Sequence, residues 1–354
     1  MGARGRLRTS PARIGLAATG AFWTMRNNSI PFWLLALALP VLAFILPKLG
    51  LNEYYLYVGY VILQYVVLAT AWNILGGYAG YVNFGTGAFF GLGAYTALVL
   101  MKAFGAPLPI QIAGAAIVGA LLGIGAGLLT LRLKGIFFSI ATIAAAIVIE
   151  TFILNWRFVG GATGMQIIRP EVPLGFDTYT RLLLFVMTVL TVIAIIVARY
   201  IERSWLGRGL HAVRDAEAAA ECSGVPTLRL KLIACAISGA LMAAAGAPFP
   251  LYTSFVEPSS TFSLNYSVMA LSMAVVGGMS RWWGPVLGAI LIASSQQLAA
   301  SASPELHLLV VGLLMVIFVI MAPEGLVGLA KLARKSLQPG AKSIRLVEGA
   351  KAHD

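Results

Sequence analysis

Charge is what this 354-residue chain has least of: Asp, Glu, Lys and Arg make up 11% of it, against 59% hydrophobic residues. A mean hydropathy of +0.88 leaves too little polar surface to wrap a soluble core of this size, which excludes an ordinary cytosolic domain and points to a polytopic membrane protein. There are 2 cysteines, Cys222 and Cys235, outside any metal-ligand spacing, so neither a disulfide framework nor a structural zinc site is expected. The 3 histidines, His211, His307 and His353, stand singly and offer no metal pair or catalytic dyad. No lysine follows a glycine anywhere, so the phosphate-cradling G-x-x-x-x-G-K-[ST] loop is missing. If ATP drives this protein, another chain binds it. Of 13 acidic residues only Glu150 falls inside an apolar segment, near its outer end. That counts against a proton- or sodium-coupled carrier, which keeps ionisable or unwound polar groups at the midplane.

What is abundant is apolar sequence in lengths that cross a bilayer, about 20 residues each. Ten spans are expected, at 32–49, 54–75, 84–101, 109–131, 135–154, 181–198, 230–251, 265–279, 284–300 and 306–322, some broken or re-entrant, in an all-α fold. Turn signals such as Gly76-Gly77, Ala106-Pro107 and Arg132-Leu133-Lys134 separate several of them. This divides the chain into a basic arm (1–31), a transmembrane domain (32–325) and a basic tail (326–354). The net charge of +12 is spread over short loops, which suits membrane orientation better than nucleic-acid binding. With both termini inside, 20 of the 25 basic residues are cytoplasmic, and only Lys48, Lys102, Arg157, Arg169 and Arg181 lie outside. The arm is suited to rest on anionic lipid.

The longest charged stretch, 199–231, should therefore be cytoplasmic. Within it a short helix is expected over 209–222, with Leu210, Val213 and Ala220 on one side and Gly224 with Pro226 as the stop. Such a loop is either a solvated connector that fixes topology or a docking helix that seats in a groove on a soluble partner.

A second concentration lies in 72–95, where seven glycines stand beside Asn73, Asn83 and Thr86. Gly76 with Gly80 and Gly87 with Gly91 have the small-x-x-x-small spacing of tight helix packing. The cluster as a whole suits a helix broken within the membrane, lining a cavity where freed amides meet a polar solute.

Five stretches in order resemble one family. They are G-Y-x-G-x-x-x-F-G-x-G-A-F-x-G-x-G-A-Y from Gly77, the segments 134–142 and 160–165, Arg214-Asp215-x-Glu217-x-Ala219-Ala220-x-x-x-Gly224-Val225, and V-V-G-G-x-x-x-x-x-G-P-x-x-G-A from Val275. Together they resemble the branched-chain amino acid permease family of binding-protein-dependent ABC importers, in the form of the larger permease subunit. The broader importer motif has Glu six residues before its Gly, where Ala218 stands here, so the match is to the branched-chain variety. The resemblance implies an inner-membrane subunit, not an enzyme, with a homologous second permease, two cytoplasmic ATPase subunits and a periplasmic solute-binding protein as partners. ATP and magnesium would sit on the ATPases, and this chain would bind no cofactor. It implies ATPase coupling through Arg208, Arg214, Asp215, Glu217, Ala219, Ala220 and Gly224. The solute path is expected beside Asn73, Asn83, Gly85, Thr86, Gly87, Gly91 and Gly93. Branched-chain or other hydrophobic amino acids are the expected cargo. Related permeases for urea, amides or aromatic acids, and a self-sufficient secondary transporter, are the alternatives.

Overall fold

A computed structural model describes residues 29–45, 52–130, 132–133, 135–169, 176–279 and 281–302, with isolated positions beyond. The arm at 1–28, nearly all of the expected span at 306–322 and the tail lie outside the described residues. The fold is all-α. Its helices are α1 (Ser29–Ile45), α2 (Glu53–Ala79), α3 (Thr86–Phe104), α4 (Leu108–Thr130), α5 (Ile136–Leu154), α6 (Tyr179–Arg203), α7 (Trp205–Cys222), α8 (Thr227–Gly246), α9 (Phe249–Thr253), α10 (Pro258–Thr261), α11 (Leu264–Gly277) and α12 (Gly284–Ala302). Among the described residues, 6 helical stretches are long and apolar enough to cross a membrane: α2, α3, α4, α5, α6, and α8 taken with α9. Helices α1, α11 and α12 are shorter or less complete; α11 has 14 residues, about 21 Å, well short of a hydrocarbon core of about 30 Å.

Helix α2 is the centre of the bundle. Every residue from Gln64 to Ala79 is buried; a helix apolar on all sides sits either in lipid or in a protein core, and this one is enclosed by protein. Helices α6, α8, α11 and α12 supply that enclosure. Beside them α3, α4 and α8 approach backbone to backbone through small residues. Gly93 lies against the Ala243 carbonyl, Gly119 against Gly239, Gly123 against Cys235 and Gly246 against Phe90. This is the close contact that apolar helices use where no hydrophobic driving force acts between them. Helices α4 and α5 turn Ile117, Leu121, Leu129, Ile147, Val148 and Phe152 outward, as a lipid-facing surface requires.

One expectation is corrected. The turn placed at Gly76-Gly77 is helix: α2 runs on to Ala79, and the absent side chains make room for Trp72 and Asn73 one turn earlier. The chain turns instead at Gly80, in the left-handed region at φ 77°. The expected span 230–251 falls within one helical stretch, Thr227–Thr253, which is interrupted at Ala247-Pro248 between α8 and α9. The connection after α5 is tied down over its described residues 155–169. Its strand β1 (Met165–Gln166) pairs antiparallel with β2 (Phe255–Val256), and Arg169 Nε and Nη2 donate to the carbonyls of Leu251 and Tyr252.

Candidate functional site

Between α2 and α3 the chain runs through 80–85 without helical hydrogen bonds, a break that a membrane tolerates only if the backbone finds other partners. Side chains provide them. Asn83 Oδ1 accepts from Gly85 N at 2.7 Å, and the Asn83 carbonyl accepts from Trp72 Nε1 at 2.7 Å. From α5, Thr142 Oγ1 accepts from Phe84 N at 3.1 Å and Ser139 Oγ donates to the Val82 carbonyl at 2.9 Å. From α11, Ser267 Oγ accepts from Gly87 N at 3.1 Å and donates to the Phe84 carbonyl at 2.7 Å. Three of the amides near the break, those of Phe84, Gly85 and Gly87, are thus engaged in this conformation. Beside them a narrow crevice between α3, α4, α5 and α8 is lined by Asn83, Gly85, Phe89, Phe138, Thr142 and Cys235, with about 20 Å³ of room. Sites that bind small molecules measure roughly 300–1,000 Å³, so the crevice is closed here.

The other expected path residues are placed differently. Asn73 is buried in α2 and Thr86 in the first turn of α3, and neither Asn73 Oδ1 nor Thr86 Oγ1 has a hydrogen-bond partner among the described residues. Gly87 and Gly91 lie against Phe262, and Gly93 against the backbone of Ala243. These three glycines serve close packing and do not line the crevice.

At the C-terminal end of α2 lies the charged loop. Helix α7 begins earlier than the expected 209, at Trp205, because Ser204 caps it by accepting from Gly207 N. Leu210, Val213 and Ala220 are buried against the bundle, on the side the spacing assigned them. The helix is not continuous: Ala216 has φ −160° and ψ 93°, separating 205–215 from 217–222. Gly224, at φ 82°, ends it, and Val225 N donates to the Ala220 carbonyl at 3.0 Å. On the outer side Arg208, Asp215, Ala218, Ala219, Glu221, Cys222 and Gly224 are exposed.

Two anchors tie α7 to the break. Arg214 Nη1 donates to the Gly77 carbonyl at 2.7 Å, and its side-chain stem lies alongside Gly80. Glu217 accepts from Tyr81 OH at 2.7 Å through Oε2 and from Lys231 Nζ at 2.8 Å through Oε1, while Lys231 also donates to Tyr81 OH at 3.1 Å. The Lys231 side chain is 3% exposed and that of Glu217 14%. Two other residues complete this end. His211 sits 5.4 Å from the Tyr78 ring, and burial, with Arg214 nearby, holds its pKa below the ordinary value. Glu202 accepts from Trp282 N at 2.6 Å, fastening the α11–α12 connection to the end of α6.

Tyr81, Ser139, Thr142, Lys231 and Ser267 were not singled out from sequence. Lys231 offered a signal: a lysine one turn into an apolar helix needs a carboxylate. The hydroxyls offered none, since their partners lie far along the chain. No group of three or more His, Cys, Asp or Glu able to hold a metal ion forms among the described residues.

Comparison with known proteins gives consistent matches. A family model described as the permease component of the branched-chain amino acid transport system matches residues 54–319. The high-affinity branched-chain amino acid transport system permease protein LivM of Salmonella typhimurium is 30% identical over 292 residues, covering 75% of this chain and 68% of that protein. Its Escherichia coli counterpart is 31% identical over 296 residues, with the same 75% and 68% coverage. An autoinducer 2 import system permease protein, LsrC, from an Enterobacter species is 31% identical over 193 residues, 53% of each chain. No solved structure matches.

Proposed function

This chain belongs to the family of branched-chain amino acid transport system permease components, and from that premise we propose that it is one permease subunit of an ABC importer. Its partners are a homologous second permease, two cytoplasmic ATPase subunits that carry ATP and magnesium, and a periplasmic solute-binding protein. The cargo is a branched-chain or other hydrophobic amino acid. The observation that supports this most directly is the placement of α7. One side is bonded to the break beside the crevice, and the other presents Arg208, Asp215, Ala219 and Gly224 to solvent. A helix in that position can seat in a groove on an ATPase and pass its displacement inward.

In this mechanism ATP binding closes the ATPase dimer and shifts α7. The paired permeases then open toward the binding protein, and solute enters beside Asn83 and Gly85. The protein lies in the inner membrane with both termini cytoplasmic. The crevice has no charged group to hold a carboxylate or ammonium, so selection of the solute falls to the binding protein. The relative named for autoinducer 2 favours a second reading of the cargo, some other small solute on the same machinery.

The test is ATP hydrolysis by the complex, coexpressed with its candidate partners and reconstituted with the binding protein. Hydrolysis that rises with binding protein and leucine is expected. A response to a different solute keeps the importer and discards leucine; uptake by this chain alone, without any ATPase, returns the self-sufficient transporter.

A further inference from the structure

We propose that Tyr81, Glu217 and Lys231 form the link that carries the displacement of α7 into the crevice, making Tyr81 and Lys231 positioning residues for transport. The inference rests on the importer reading above and names how its motion is transmitted. Three elements meet in this cluster: α7 through Glu217, α8 through Lys231, and the 80–85 segment through Tyr81. The Lys231 side chain is only 3% exposed, so loss of its partners would leave a buried charge uncompensated.

The position of Glu217 gives the cluster its direction of action. It is the first residue after the break at Ala216. The half of α7 before the break is held by Arg214 on Gly77 and by buried Leu210 and Val213. The half after it, 217–222, carries exposed Ala218, Ala219, Glu221 and Cys222. A partner pressing on that outer surface therefore moves Glu217 relative to Arg214.

The output side is equally defined. Tyr81 meets Phe138 edge-on with ring centroids 5.1 Å apart, and Phe138 lines the crevice. The next residues are Val82, bonded to Ser139, and Asn83, itself a crevice residue. Along α8, Lys231 marks the level of Tyr81 and Gly239 the level of Phe89, about 12 Å apart at 1.5 Å per residue. The segment between them climbs through the crevice wall, so a pull at Tyr81 is delivered there.

The experiment compares the reconstituted importer with the variants Tyr81→Phe, Glu217→Gln and Lys231→Met, reading leucine uptake and ATP hydrolysis in the same vesicles. Tyr81→Phe removes one hydroxyl and keeps the ring on Phe138, so it tests the link even where Lys231→Met fails to accumulate. For Tyr81→Phe, basal hydrolysis within about twofold of the unaltered importer and uptake per ATP lower by about tenfold are expected. The double variant Tyr81→Phe with Glu217→Gln should be no worse than Glu217→Gln alone. A cluster that only stabilises the fold would lower yield, uptake and hydrolysis together and leave uptake per ATP unchanged, and that result overturns the link. Should the unaltered importer itself show no stimulated hydrolysis, the importer reading fails first and the link with it; stimulated hydrolysis with normal ratios in Tyr81→Phe and Glu217→Gln sinks the link alone.

Discussion

At Gly93 the volume a side chain would need is filled by the Ala243 backbone on α8, whereas a methyl group added at Gly125 on α4 meets nothing within 4 Å. The same chemical change should therefore have opposite consequences. Gly93→Ala must push α3 from α8 and costs about 1–3 kcal/mol as overpacking; Gly125→Ala relieves a helix-interior glycine and is neutral or stabilising by up to about 1 kcal/mol. Thermal unfolding in detergent separates the two, and equal shifts would show that α3 and α8 are not in backbone contact. Ser267 makes a different point. Ser267→Ala leaves Gly87 N–H and the Phe84 carbonyl without their side-chain partner, at a cost of about 1–3 kcal/mol for each group left unpaired. The expected readout is a fall in midpoint comparable with that of Gly93→Ala. Neither result could be read from sequence alone. A glycine that relieves a close contact and one that faces open space are spelled alike, and Ser267 serves residues 180 positions away.

Helix α7 shows at the level of an element which features are written locally. Its end was legible because Gly224 and Pro226 stop any helix, and its buried side because Leu210, Val213 and Ala220 recur at helical spacing. The break at Ala216 was not legible: Ala216 and Ala218 to Ala220 favour unbroken helix. The side chains on either side of the break hold different elements, Arg214 bonding Gly77 of α2 and Glu217 bonding Lys231 of α8. Gly76 and Gly77 reverse the lesson, being read as a turn but serving as space for Trp72 and Asn73. Because Gly224 at φ 82° touches nothing with an added Cβ, Gly224→Ala should cost only the left-handed penalty of about 1–2 kcal/mol, and Gly224→Asn less. The seating of α7 should also depend on pH. The folded pKa of His211 lies below its ordinary 6.5, so the unfolded state binds more protons between the two values and stability rises with pH across that window. It is complete above about 6.5 and falls as the pH drops toward the lowered folded value. Proteolysis at the exposed Arg208 should quicken on acidification in the unaltered protein, and His211→Asn should flatten that dependence.

For the whole molecule the open question is which end faces the cytoplasm, and the chain carries its own probe. The end that gathers Glu202, Arg208, Arg214, Glu217, Lys231 and Arg281 holds the exposed Cys222, while Cys235 is buried against Gly123 of α4. The opposite end holds Lys102, Arg157, Arg169 and Arg181. The first end also carries Arg199, Arg203 and Arg229, and a basic excess of that kind is expected on the cytoplasmic side, where Cys222 would be reachable only from within. A membrane-impermeant maleimide should therefore label the protein in inverted vesicles and not in intact spheroplasts, Cys222→Ser should abolish the signal, and Cys235 should stay silent in both. Adding the ATPase subunits ought to slow the labelling in inverted vesicles, because Cys222 shares its exposed surface with Ala218, Ala219 and Gly224. Orientation and docking are then tested by one thiol. Labelling from outside would put α7 where no cytoplasmic ATPase can touch it, and both the charge argument and the importer mechanism would fall together. Labelling from inside that the ATPase fails to slow would keep the orientation and move the docking surface away from the second half of α7.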